Sequence, residues 1–510
     1  MDGFALSGYK WTVRRAFFFI GLLILLVPAL AVSPAHASDR LWTGSPAAEA
    51  RTQALLSAIR TAGDHGLKPE WYRLADLEQA AAGDSDKDKA EQLLTNALVA
   101  YASDVSTGRV RANSVDRDID IQQRKLDRAA LLKDAANAGD FAAWLASLPP
   151  KGDYPALQKT LALLREKQAT ATFTRLPDGD ALKPGMIDAR VPILRQRLTE
   201  LGSTVPPPGA IAELYDDPLV DVVKEYQAAK GLTVDGIIGA KTTQSLNTSL
   251  EDRINQVIAN LERRRWLPPD LGSRYVLVNA ADYSMVFVNG GQRVFQSLVI
   301  VGTPKNPTPE IASTMYGFQT NPYWTVPQSI AGEEYLPMLR RDPHSLATAG
   351  FRIFESWNDD GSEIDPDTVD WSAIDSKAFP YRLRQDPGAG NALGYIFFPF
   401  SNKYGIYMHD TATRWLFAEG SRNFSHGCIR LQNPLDFVEK VFGGRGGFDK
   451  ERVRAAIDGG QQVNYTFPEP VRLYVTYRTV TANSDGAVTF RDDIYGRDRR
   501  VVQAMAQPRS

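Results

Sequence analysis

Cysteine is all but missing from this chain: 510 residues contain one, Cys428. A lone cysteine excludes an intramolecular disulfide, so no covalent staple supports the fold. It leaves two readings, a small buried hydrophobe or a reactive thiol. Histidine is nearly as scarce, with five residues, His36, His65, His344, His409 and His426. No cluster of histidines and carboxylates has ligand spacing, so no metal or other cofactor is expected. The formal net charge of −2 excludes a nucleic-acid binder that works through a broad basic surface. Beyond the first 32 residues no run is apolar enough to span a bilayer.

The N-terminus does hold such a run. Lys10, Arg14 and Arg15 precede Ala16–Val32, and Ala35–Ala37 reads "AHA", the small-x-small pattern of a signal peptidase site. Residues 1–37 are therefore expected to be an export signal, or an uncleaved anchor tethering the chain to a membrane. The mature protein is expected in the periplasm or cell envelope.

The rest divides by texture into an α+β, multidomain chain. Residues 40–170 are expected to form a helical scaffold, because Leu94, Ala97, Leu98, Tyr101 and Val105 recur on one helical face, as do Leu157, Leu161 and Leu164. Residues 185–248 read as a small three-helix unit, with Gly231 ending one helix and "DG" at Asp235–Gly236 turning the chain. From Tyr275 the pattern alternates and is rich in β-branched residues, with "NGG" at Asn289–Gly291 as a hairpin turn. A β-rich domain is expected over 273–460, and its aperiodic stretch at about 333–391 reads as a lid insertion. Residues 461–510 read as a C-terminal β-hairpin extension turning at Ser484–Gly486.

Cys428 lies in "FSHGCIRL", Phe424–Leu431. A thiol becomes a useful nucleophile when a neighbour takes its proton, and histidine is the usual neighbour. His426 is two residues upstream and shares a face with Cys428 if the segment is a strand. His409 ends the strand-like run "YGIYMHD", with a loop long enough to return to the cysteine. On the residues alone, both stand as the base.

The run from His409 to Phe437, "HDTATRWLFAEGSRNFSHGCIRLQNPLDF", resembles the signature of the YkuD-type L,D-transpeptidase catalytic domain, a histidine followed by [ST]-H-G-C-[IV]-R. "NPYWTVP", "DPGAGNALG" and "FRDDIYGRD" resemble its large multidomain type. Val223, Tyr226, Gln227, Gly231, Leu232, Val234, Asp235, Gly236, Gly239, Thr242 and Leu246 resemble the peptidoglycan-binding module. The resemblance implies Cys428 as nucleophile, His409 as general base, and His426 as a residue that shapes the site. It implies an oxyanion held by the N–H groups of Gly427 and Cys428, with Arg430 binding a carboxylate or ordering the loop. Tyr407 and Trp324 match positions lining the site. The implied reaction is 3→3 cross-linking of peptidoglycan stem peptides through a thioester, releasing the terminal D-alanine of a tetrapeptide. The same thioester also serves an L,D-carboxypeptidase or the attachment of protein to peptidoglycan. A non-catalytic cell-wall-binding protein is the rival of another class. The implied partners are peptidoglycan stems and glycan.

Overall fold

The computed structural model describes residues 40–83, 86–357, 361–445, 448–482 and 487–508. The expected signal (1–37) and the turn at Ser484–Gly486 lie outside the described residues. Among those described, no helix is long and apolar enough to cross a membrane.

The N-terminal third is helical. Pro46–Arg60, Lys87–Thr107 and Tyr154–Thr170 are its longest helices, started by Ser45 and Asp86 as side-chain caps on the first two. The stripe from Leu94 to Val105 is buried, and Leu157 and Leu161 are buried with Leu164 at their margin. A smaller unit follows, with helices Val191–Glu200, Asp217–Lys230 and Ala240–Leu246. Gly231 closes its middle helix in the left-handed region, as its position in the sequence suggests. The helix Leu250–Trp266 then leads into the sheet, and its first turn is fixed by a reciprocal Ser249–Asp252 capping box.

The strands, in chain order, are β1 (Ile119–Asp120), β2 (Arg274–Asn279), β3 (Ser284–Asn289), β4 (Gln292–Gly302), β5 (Glu310–Thr320), β6 (Trp324–Thr325), β7 (Phe351–Phe354), β8 (Arg382–Gln385), β9 (Ile396–Phe398), β10 (Met408–His409), β11 (Asn423–Ser425), β12 (Ile429–Leu431) and β13 (Asn464–Thr476). The main sheet runs β1-β5-β13-β2-β3-β4-β12-β10-β9, and a β5–β9 pairing closes it on itself. Asn289 and Gln292 face each other across the tight turn at Gly290–Gly291, both at positive φ, so the "NGG" hairpin forms where the sequence puts it. The closed sheet wraps a core that includes Phe287, Val299, Met315, Phe398, Met408, Ile429 and Phe437.

Two readings differ from the structure. The chain after residue 461 is not an extension: β13 lies inside the main sheet, parallel to β2 and antiparallel to β5. Its partners are more than a hundred residues away, so no local pattern announces them. Only Val480–Ala482 and Val488–Phe490 form a separate small hairpin. The lid is also not irregular. Strands β6-β8-β7 form a second sheet over its own core of Val326, Leu336, Leu339, Ile353, Trp371, Phe379 and Leu383. It therefore begins near Trp324, before residue 333.

Candidate active site

The site is set by the pairing of β10 with β12. The two strands are parallel, with Met408 opposite Ile429 and His409 opposite Arg430. Met408 and Ile429 are fully buried in the core. Side chains alternate along a strand, so Tyr407, His409, Cys428 and Arg430 project together from the opposite face. The Ile429 N–H donates to the Tyr407 carbonyl at 3.0 Å, which brings Cys428 beside Tyr407. The Tyr407 and His409 rings meet edge to face, 5.6 Å apart.

Cys428 is half-buried and unpaired. Burial pushes its thiol up to about 11, against the Tyr407 N–H and phenol, which both face the sulfur, and against the Arg430 cation. His409 is buried, and burial together with the Arg430 charge pushes it down to about 3; the Asp410 and Leu393 carbonyls oppose the shift. Its Nδ1 is buried and has no hydrogen-bond partner among the described residues. At rest, then, both groups are neutral, and Arg430 favours the thiolate while penalising the imidazolium.

Arg430 is held by the Thr413 hydroxyl at 3.0 Å, and its buried Nε is unpartnered. Trp324 comes from the lid, and its indole N–H donates to the Tyr407 phenol. His426, by contrast, is exposed and turned toward the lid, where its Nε2 lies 2.9 Å from Glu334 Oε1. A second lid acid, Glu333, pairs with Lys305 at 2.8 Å. Burial pushes the neighbouring Tyr335 up to about 12, with Glu334 raising it further and Arg430 opposing. Sequence reading missed Glu333, Glu334 and Tyr335, because nothing periodic marks a lid residue that folds back on the site.

One expected donor is engaged elsewhere. The Gly427 N–H donates to Ser425 Oγ at 3.1 Å, and that hydroxyl donates to the Cys428 carbonyl at 2.6 Å. Gly427 thus shapes the turn, at φ +108°, and does not offer its N–H to an oxyanion. The Cys428 N–H has no partner among the described residues. The structure also gathers His344, Asp365 and Asp367, which sequence spacing did not suggest because His344 is far along the chain from the two acids. The three are exposed, and His344 Nε2 lies 3.1 Å from Asp367.

Residues 273–445 match the family described as "L,D-transpeptidase catalytic domain", residues 35–161 the "Scaffold domain" and residues 188–246 the "Putative peptidoglycan binding domain". A Haemophilus influenzae protein named "Putative L,D-transpeptidase" is 30% identical over 265 residues, 51% of this chain and 53% of that protein. The chain therefore spans about half the length of the curated relative it matches. The crystal structure of an L,D-transpeptidase from Xylanimonas cellulosilytica is 14% identical, with 59% of this chain and 99% of that one covered and a TM-score of 0.17. One from Stackebrandtia nassauensis is also 14% identical, with 60% and 97% covered and a TM-score of 0.18.

Proposed function

We propose that this chain, which carries a YkuD-type L,D-transpeptidase catalytic domain behind scaffold and peptidoglycan-binding domains, forms 3→3 cross-links between peptidoglycan stems. The observation that carries the reading is the parallel pairing of β10 with β12, which sets Tyr407 and His409 beside Cys428 and Arg430, with the Arg430 charge acting on both the thiol and the imidazole.

The chemistry follows from those groups. His409 takes the Cys428 proton as the sulfur attacks the carbonyl before the terminal D-alanine of a tetrapeptide. The resulting oxyanion lies against the Cys428 N–H; one such donor is worth on the order of 10²–10³ in rate. The C–N bond breaks, D-alanine leaves with the proton from His409, and an acyl-thioester remains. The amine of a second stem attacks the thioester, His409 accepts its proton, and the thiol is restored by that proton.

The resting pKa values oppose the first transfer, because the thiol holds its proton and the imidazole rejects one. A stem carboxylate paired with Arg430 offsets the cation that disfavours the imidazolium, so donor binding itself makes His409 a better base. The unpartnered Nε of Arg430 supports that pairing. Export to the periplasm by the N-terminal segment places the enzyme with its polymer, and the peptidoglycan-binding domain supports peptidoglycan as partner.

The test is incubation of the purified chain and its Cys428→Ala variant with disaccharide-tetrapeptide, followed by mass spectrometry. Dimers lacking one D-alanine are expected from the wild type alone. Tripeptide without dimer assigns water as acceptor and an L,D-carboxypeptidase; equal products from both proteins overturn the thiol mechanism.

A further inference from the structure

Thr308 sits fully buried between β4 and β5, and each of its polar groups is taken. Its hydroxyl accepts from the Gly302 N–H at 2.8 Å and donates to the Gly427 carbonyl at 2.9 Å. Its N–H donates to the Tyr495 hydroxyl at 3.3 Å, and that hydroxyl donates to the Gly302 carbonyl at 2.8 Å. Its carbonyl accepts from Arg497 Nη1 at 3.2 Å.

A hydroxyl has one proton. Because the Thr308 hydroxyl accepts from Gly302, that proton goes to the Gly427 carbonyl. The Gly427–Cys428 peptide is planar and trans, so its N–H points opposite to its C=O. Fixing the carbonyl toward Thr308 therefore turns the Cys428 N–H the other way, and this N–H bonds to none of the described residues. Ser425 pins the peptides on either side, through the Gly427 N–H and the Cys428 carbonyl, but does not touch this one.

We propose that Thr308 is a positioning residue: its hydroxyl holds the Gly427–Cys428 peptide in the orientation that presents the Cys428 N–H to the oxyanion. The hold reaches into the scaffold domain. Arg497 is buried between Asp116, 3.3 Å away, and Glu310, 3.6 Å away, and Asp116 belongs to the scaffold match. The kinetic part of the proposal rests on the acyl-transfer reading above; the geometric part does not.

The experiment uses the full chain, in which Cys428 is the only cysteine, so ¹⁵N-cysteine labelling gives a single amide signal. Thr308→Val is expected to move that signal and Thr308→Ser to keep it in place. Thr308→Val is also expected to cut kcat for tetrapeptide acylation on the order of 10²-fold, with KM and the rate of iodoacetamide alkylation unchanged, since alkylation forms no oxyanion. Thr308→Ser restores kcat. Tyr495→Phe, which keeps the Thr308 hydroxyl but loosens its backbone, gives a smaller change of the same kind and serves if the valine variant does not fold. An unmoved signal in the folded variants, or acylation and alkylation falling by the same factor, overturns the proposal. A wild type that is never acylated overturns the acyl-transfer reading, and the amide signal still decides the role of Thr308.

Discussion

His409 and His426 stand in one short motif but in different surroundings. His409 is buried beside Tyr407, on the face it shares with Cys428, and its Nδ1 is free. His426 is exposed and bonded to the lid acid Glu334. His409→Ala is therefore expected to lower acylation of Cys428 on the order of 10²–10⁴-fold, while His426→Ala lowers it only several-fold. Single-turnover acylation rates with tetrapeptide check this, and equal losses in the two variants would undo the assignment of the base. The sequence singles out Cys428 as a candidate thiol, because the one cysteine lies near two of the five histidines. Spacing alone does not choose a base, since His426 is nearer in sequence; the register of β10 against β12 places His409 opposite Arg430. The resemblance to known transpeptidases favours His409, and the two variants test that choice.

Among the elements, the lid meets the site through the Trp324–Tyr407 hydrogen bond and through two surface contacts, the Glu333–Lys305 ion pair and Glu334 with His426. All four side chains of the surface contacts are exposed and screened by solvent, so each contact holds the lid only weakly. Replacing both acids, Glu333→Gln with Glu334→Gln, is expected to speed alkylation of Cys428 several-fold, at most about tenfold. Raised ionic strength should move the wild type in the same direction. Stopped-flow alkylation measures both, and a rate unchanged by the variant and by salt would show that the lid does not gate the thiol. Local signals marked the elements that close on themselves: the Asn289–Gly291 hairpin, the Gly231 helix end and the amphipathic stripe from Leu94 to Val105. They missed β13, whose partners β2 and β5 are far away in sequence, and the lid core, whose apolar residues are scattered through an aperiodic stretch. The Thr308 contact with Gly427 spans 119 residues and carries no sequence signal at all.

For the molecule as a whole, two histidines, His409 buried and His65 half-buried, couple folding to pH. Burial and a neighbouring arginine push His65 in the helical domain and His409 in the catalytic domain each down to about 3. The unfolded chain takes up these protons near pH 6.5 and the folded chain does not. The sign follows: their contribution is fully present above about pH 6.5 and is lost as pH falls toward 3, by up to about 1.4 kcal/mol per pH unit for each histidine. Urea unfolding between pH 7 and 4.5 should show this fall, and His65→Gln should flatten it by one proton's slope. A slope identical to that of the wild type would show that His65 is not held neutral by the fold.

The central claim is that Cys428 becomes an acyl-thioester with His409 as its base. Intact-protein mass spectrometry after brief exposure to tetrapeptide donor tests it most directly. The wild type should gain the mass of the donor less D-alanine, mapped to Cys428, while Cys428→Ala gains nothing and His409→Ala almost nothing. An adduct of that mass on the Cys428→Ala chain, or none on a wild type that still releases D-alanine, would contradict the account.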